Sequence, residues 1–280
     1  MGLSKRLIVL GVVLAAALGG AALMFLDGAG SVASKEPEPQ AQQESHLVDF
    51  GHWAAILVAG DYRAQNGAPS KVFNNGRRAL AKAFARIGFA PANMVQFSAD
   101  YDQGTERAGV MEIAGALQTM AAREKEGCLI YFTSHGTEDG IIVGEAVLSP
   151  RRMAQMVQSA CGSRPSVIVM SACYSGQFVT PLQAPNRIIM TASRPDRTSF
   201  GCGELDAFTF FDDCFLRALP MAGDFPGLGG LVQQCVAERE VELKATPPSE
   251  PQVHVGPGVV FTLRWRDEPA PVSAVPRQPT

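Results

Sequence analysis

No cysteine occurs before Cys128 in this 280-residue chain, so a lipid-modified N-terminal cysteine is excluded. An excess of positive charge is also missing. The 24 Lys and Arg stand against 27 Asp and Glu, a net charge of −3 with no basic stripe, whereas a phosphate-binding surface needs a clear basic excess. Nucleic acid is therefore not an expected partner. None of the six cysteines has another two residues away, which excludes zinc-ribbon and thioredoxin-like sites. The phosphatase loop requires an Arg six positions after its Cys, and Val179 stands there relative to Cys173. A Gly-x-Ser-x-Gly elbow, a phosphate-binding glycine loop and internal repeats are absent too.

What the chain does have begins with an uncharged run from Leu7 to Leu26. At about 1.5 Å rise per residue it spans roughly 30 Å, the hydrocarbon thickness of a bilayer. Lys5 and Arg6 precede it and Asp27 follows, so the positive-inside rule places everything after Asp27 outside the cytoplasm. Residues 1–27 are expected to be an uncleaved membrane anchor, or a signal segment cut near "SVA" at Ser31 to Ala33. The domain then faces the periplasm if the source is Gram-negative, either tethered or released. Residues 28–50, rich in Glu, Gln and Pro, read as a flexible tether, and 267–280 as a disordered tail.

Between these ends apolar strand-like runs alternate with amphipathic stretches. "WAAILVAG", "NMVQFS", "LIYFTS", "SVIVMSA" and "RIIMTAS" read as strands, and "VHVGPGVVFTL" as a late strand or hairpin. "NNGRRALAKAFARIG", Thr105 to Glu126, Pro150 to Ser159, Ala207 to Leu219 and Leu228 to Lys244 read as helices, with Thr105 and Ser149 as caps. This order predicts one α/β domain over residues 51–266, a mostly parallel sheet with helices on both faces, preceded by one transmembrane helix.

Two of the strands end on reactive residues: "LIYFTSHG" stops at His135-Gly136 and "SVIVMSACYSG" at Cys173. In an open parallel sheet, reacting groups gather outside the carboxyl ends of the strands, so these two residues are expected to meet. An imidazole beside a thiol keeps part of it as the nucleophilic thiolate. The His precedes the Cys, the reverse of the papain-type order.

Several blocks together resemble the legumain-like cysteine peptidases of caspase-like fold, and in particular their bacterial membrane-anchored branch. They are "ILVAGD" leading into "VFNNGRRAL", "YFTSHG", "SACYSG", "RIIMTASRPDRTSFGCG" and the late "PSEPQVHVG". The resemblance implies Cys173 as nucleophile and His135 as general acid and base, with the backbone N–H groups of Gly136 and Cys173 as oxyanion hole. It implies Ser171, Thr198, Ser199 and Asp206 as substrate-binding residues, with Glu204 a second choice for the pocket carboxylate, and Asn74 or Asn75 as the residue orienting His135. It implies a peptide or protein substrate and no cofactor or metal. Ser171, Tyr174 and Ser134 depart from the legumain pattern, which carries acidic residues at those places. An asparagine preference before the cleaved bond therefore does not transfer, and a basic residue there is as consistent. A transamidase using the same acyl-enzyme and a catalytically silent envelope scaffold are the rival readings.

Setting Cys173 aside leaves five cysteines, an odd number for structural pairs, with Cys202–Cys214 as one conceivable bridge. His46 and His52 read as solvated and His254 as structural.

Overall fold

The computed structural model describes residues 47–100 and 102–267. The expected anchor, most of the tether and the tail lie outside the described residues. Among the described residues no helix is long and apolar enough to cross a membrane.

In chain order the elements are β1 (Trp53–Ala59), α1 (Val72–Arg86), β2 (Met94–Ser98), β3 (Glu106–Arg107), α2 (Val110–Arg123) and β4 (Gly127–Thr133). The short strands β5 (Gly136–Thr137), β6 (Gly140–Val143) and β7 (Ala146–Leu148) come next, then α3 (Pro150–Cys161), β8 (Ser166–Ser171), α4 (Val179–Leu182) and β9 (Arg187–Thr191). The last elements are α5 (Phe210–Ala218), α6 (Phe225–Glu242) and β10 (Gln252–Val255). The main sheet runs β10-β9-β8-β4-β1-β2-β3, parallel throughout except for β10.

Strands β1, β4, β8 and β9 are buried along their whole length, as a parallel sheet covered on both faces requires. Successive side chains point to opposite faces. Ala55, Leu57, Leu129, Tyr131, Val167, Val169, Ile188 and Met190 pack against α1, α5 and α6. Their neighbours Ile56, Val58, Ile130, Phe132, Ile168, Met170 and Ile189 pack against α2 and α3. A large side chain such as Phe84, fully buried on the first face, would cost about 3–5 kcal/mol if cut to Ala.

The chain runs outward from β1 through β2 to β3 and returns to place β4 on the other side of β1. That reversal makes the β1/β4 boundary a topological switch point, where the loops after the two strands part and leave a crevice. Ala59, Thr133 and Ser171 are in register across β1, β4 and β8. The next residues of all three strands therefore emerge at one edge.

Several boundaries differ from the sequence reading. The helix expected from Thr105 starts at Val110, because Glu106 and Arg107 pair with β2 and the Thr105 hydroxyl donates to the Asp102 carbonyl at 2.7 Å instead of capping. Helix α6 starts at Phe225, three residues early, with Asp224 accepting from the Gly227 N–H at 2.7 Å. The late strand ends at Val255, before Gly256-Pro257. The antiparallel β5-β6-β7 sheet has no counterpart in the sequence reading. Phe50, assigned to the tether, is fully buried and stacks on Phe89 with ring centres 4.6 Å apart.

The cysteine arithmetic resolves differently as well. Cys128 is bonded to Cys161 and Cys214 to Cys235, so Cys202–Cys214 does not form, and Cys173 and Cys202 are the free pair. The first bridge ties the start of β4 to the end of α3 and the second joins α5 to α6. Loop-closure entropy assigns each about 3–4 kcal/mol.

Candidate active site

His135 leaves the end of β4 with its neighbours held in place. The Ser134 N–H donates to the Ser171 carbonyl at 3.1 Å and its hydroxyl to the Ile142 carbonyl at 2.8 Å. The edge of the His135 ring meets Phe73, ring centres 5.0 Å apart. His135 Nε2 lies 2.9 Å from the Arg63 carbonyl oxygen. A carbonyl only accepts, so chemistry assigns the proton to Nε2 and leaves Nδ1 unprotonated in the neutral ring.

Cys173 stands two residues beyond β8, on a turn stapled from just past the end of β9: the Ser193 hydroxyl donates to the Ala172 carbonyl at 3.2 Å and accepts from the Ser175 N–H at 3.1 Å. Tyr174 adopts a left-handed conformation, φ 57°, sparsely populated for a residue with a side chain. Its N–H is committed to the Arg197 carbonyl at 2.7 Å. The Cys173 sulfur accepts the Ser199 N–H at 3.3 Å and lies 3.6 Å from both Ser199 oxygens.

Two backbone donors remain for a ligand. In the β5-β6 hairpin the Ile142 N–H bonds the His135 carbonyl, so the next pair, Gly136 and Ile141, is the non-hydrogen-bonded one and the Gly136 N–H points away from β6. No acceptor among the described residues takes the Cys173 N–H. The two residues lie against each other, since a Cβ on Gly136 would sit 1.9 Å from the Cys173 carbonyl oxygen. Only glycine is compatible with that approach.

A cleft of ≈ 490 Å3 is lined by His135, Gly136, Cys173, Tyr174, Thr198 and Ser199, together with Asp61, Arg63, Gln65 and Cys202, to which the sequence reading gave no role in the site. The structure thus brings together six of the residues singled out in sequence. Ser171 is fully buried and hydrogen-bonded to Thr209 (3.2 Å between hydroxyl oxygens) rather than lining the cleft. Asp206 is exposed, its carboxylate accepting the Gly203 N–H at 2.7 Å, and Glu204 borders an adjoining ≈ 390 Å3 cavity. Asn74 and Asn75 are not brought to His135. Asn74 accepts from the Ser98 hydroxyl at 2.8 Å and Asn75 donates to the Ala207 carbonyl at 3.1 Å, so the histidine's partner is a backbone carbonyl that no side-chain motif announces.

Below the cleft lies Asp212, at the start of α5 and 0% exposed. It accepts from the Tyr131 hydroxyl at 2.8 Å and the Thr133 hydroxyl at 2.6 Å, tying α5 to β4. Burial raises its carboxyl above the usual range, opposed by hydrogen bonds from Thr133, Ser171, Tyr131 and Thr209. Burial likewise pushes the Cys202 thiol up to about 11, helped by the neighbouring Cys173 and Asp206.

This His-Cys edge of a parallel sheet coincides with a family match: the sequence profile described as the Peptidase C13 family covers residues 55–222. The chain belongs to the peptidase C13 family. It is therefore a legumain-like cysteine peptidase by family, and the matched span runs from β1 to just beyond α5, taking in both strand ends of the cleft. Among solved structures, caspase-1 from Spodoptera frugiperda is similar over 85% of this chain and 99% of that one, with a TM-score of 0.58 and 14% identity. That likeness is one of fold, and it makes the C13 domain's sheet caspase-like. No curated protein matches the chain in sequence.

Proposed function

We propose that this C13 peptidase is an exported endopeptidase working through a thioester on Cys173. The observation that carries the reading is the meeting of His135 and Cys173 in one cleft, delivered by adjacent in-register strands. In the proposed cycle the Cys173 thiol gives its proton to His135 Nδ1, and the resulting thiolate attacks the scissile carbonyl carbon. The developing oxyanion takes the N–H groups of Gly136 and Cys173, donors that the hairpin and the turn leave uncommitted. His135 protonates the leaving amine, which departs as the thioester forms, and then takes a proton from the water that hydrolyses it. Thr198 and Ser199 border the cleft where substrate backbone would run, and Asp206 is assigned to the pocket only through movement of its loop, since its carboxylate is engaged by Gly203.

Two disulfides, one on each face of the sheet, support an oxidising compartment, in keeping with export behind the apolar segment at residues 7–26. The test is incubation of the chain with a mixed peptide library beside Cys173→Ala, with cleavage sites read by mass spectrometry. Cuts ending in a free acid that vanish in the variant are expected. Products joined to an added amine peptide would favour transamidation, and inertness of Cys173 to thiol-reactive peptide probes would favour the scaffold.

A further inference from the structure

All six cysteines lie among the described residues, and four of them are spent in the two structural bridges. The two that remain, Cys173 and Cys202, line the same cleft. A chain that has oxidised its other cysteines has passed through a compartment where disulfides form and persist, so two thiols left facing one cavity there need a reason. No step of the proposed cycle uses Cys202. It belongs to the same segment that holds the nucleophile: the Ser199 N–H donates to the Cys173 sulfur at 3.3 Å, and the three residues from Ser199 to Cys202 span at most about 11 Å. Residues 198–202 have no regular secondary structure, and Cys202 stands between Gly201, at a left-handed φ of 81°, and Gly203. Cys202 packs on Ala59, Val72 and Phe73, and Phe73 is the ring that meets His135. Burial raises the Cys202 thiol to about 11, and the charge of Cys173 is the next cause, a second sign that the two sulfurs are neighbours.

We propose that Cys202 is a resolving thiol for Cys173, so that a low-molecular-weight disulfide, RSSR, switches the peptidase off by closing a Cys173–Cys202 bridge across the cleft. The proposal rests on the reading of Cys173 as nucleophile. In the first step the Cys173 thiolate attacks one sulfur of RSSR, forming a mixed disulfide and expelling RS⁻, which takes the proton that His135 received from Cys173. Cys173 then carries no charge, so one cause of the raised Cys202 thiol disappears. In the second step the Cys202 sulfur attacks the Cys173 sulfur of the mixed disulfide, and its proton passes to the departing RS⁻. Both protein thiols are oxidised and RSSR is reduced to two RSH. A bridge needs Cα atoms about 4.4–6.8 Å apart, and the glycines on either side of Cys202 supply the backbone freedom to reach that window. Reduction reopens the bridge at Cys202, because attack there expels Cys173, the better leaving group.

The test incubates the folded full chain, wild type beside Cys202→Ser, with oxidised glutathione, and reads peptide turnover, intact mass and peptide maps run without reductant. We expect the wild type to lose turnover, to carry no glutathione and to yield a peptide pair joined through Cys173 and Cys202. Dithiothreitol should return its turnover to that of the untreated enzyme. Cys202→Ser should stop at the mixed disulfide and keep glutathione on Cys173, its turnover being judged against its own untreated sample. If that variant does not fold, Cys202→Ala takes its place, and the joined peptide pair in the wild type carries the same expectation. A wild type that keeps glutathione on Cys173 while Cys202 stays open to alkylation would overturn the proposal, as would a wild type in which both thiols remain free. A wild type without turnover before treatment would instead sink the peptidase reading, and the peptide map would still decide whether Cys202 closes on Cys173.

Discussion

Two buried carboxylates flank this site and are held in opposite ways. Asp212, on the floor, is surrounded by hydroxyls from β4, β8 and the cap of α5, with no cation among its hydrogen-bond partners. Asp61, on the rim, is bound by two backbone N–H groups and a guanidinium, all within its own turn. The floor residue joins elements about eighty positions apart in the chain, so its loss is a loss of tertiary structure. The rim residue shapes three consecutive residues, the last of which turns its carbonyl to His135, so its loss is one of aim. Floor substitutions should therefore register in unfolding, and rim substitutions in turnover.

The largest expected effect breaks the floor. Asp212→Ala leaves the Tyr131 and Thr133 hydroxyls without their acceptor in a closed interior, and about 3–5 kcal/mol of stability should disappear in denaturant titrations. Asp212→Asn sharpens the comparison through pH. Because burial raises the Asp212 carboxyl in the folded state above its ordinary value of 3.8, the native protein binds this proton more tightly than the unfolded chain. Its contribution is fully present below that value and is lost as pH rises through the folded-state pKa. The stability of wild type relative to Asp212→Asn should fall over that window and then level off. A constant difference across it would contradict the raised value.

Next in size is a rim change that leaves the floor alone. Gly136→Ala drives a methyl into the Cys173 carbonyl, and kcat should fall by about 10²–10³, the loss typical of one oxyanion donor. Unfolding should move far less than for Asp212→Ala. A melting temperature that collapses in parallel would erase the distinction between floor and rim.

The paired substitution Cys128→Ser with Cys161→Ser acts at the opposite end of β4 from His135. It should cost about 3–4 kcal/mol and leave kcat unchanged at temperatures where the protein stays folded. Smallest is Asp206→Ala: with its carboxylate turned to Gly203 outside the cleft, kcat/KM on a peptide with a basic or asparagine residue before the cut should change by less than about threefold, under 1 kcal/mol. A loss of orders of magnitude would mean that the loop swings inward on binding.

The parts of the molecule that were legible in sequence share a physical reason. Strands buried on both faces need continuous apolar runs, and β1, β4, β8 and β9 have them, so a breaker such as His135-Gly136 or Cys173 marks where burial stops. Helix starts could be read where a cap sits beside proline, as at Ser149-Pro150, where the serine accepts the Arg152 N–H at 3.4 Å. The small β5-β6-β7 sheet escaped because its strands are two to four residues long and carry too little periodicity. Asp61 and Arg63 escaped for a different reason. Their roles arise from a backbone carbonyl and a turn, and neither leaves a side-chain signature at a distance.

The sequence by itself determined the parallel α/β sheet and the two residues at its edge, because periodicity and chain order decide which faces must be buried and where a parallel strand ends. Tertiary structure alone decided which cysteines bond, that Asp212 becomes the floor, and that the Arg63 carbonyl rather than Asn74 or Asn75 faces His135. Those outcomes depend on distances between residues far apart in the chain, which become defined only when the strands lock in register and set their loops against one another.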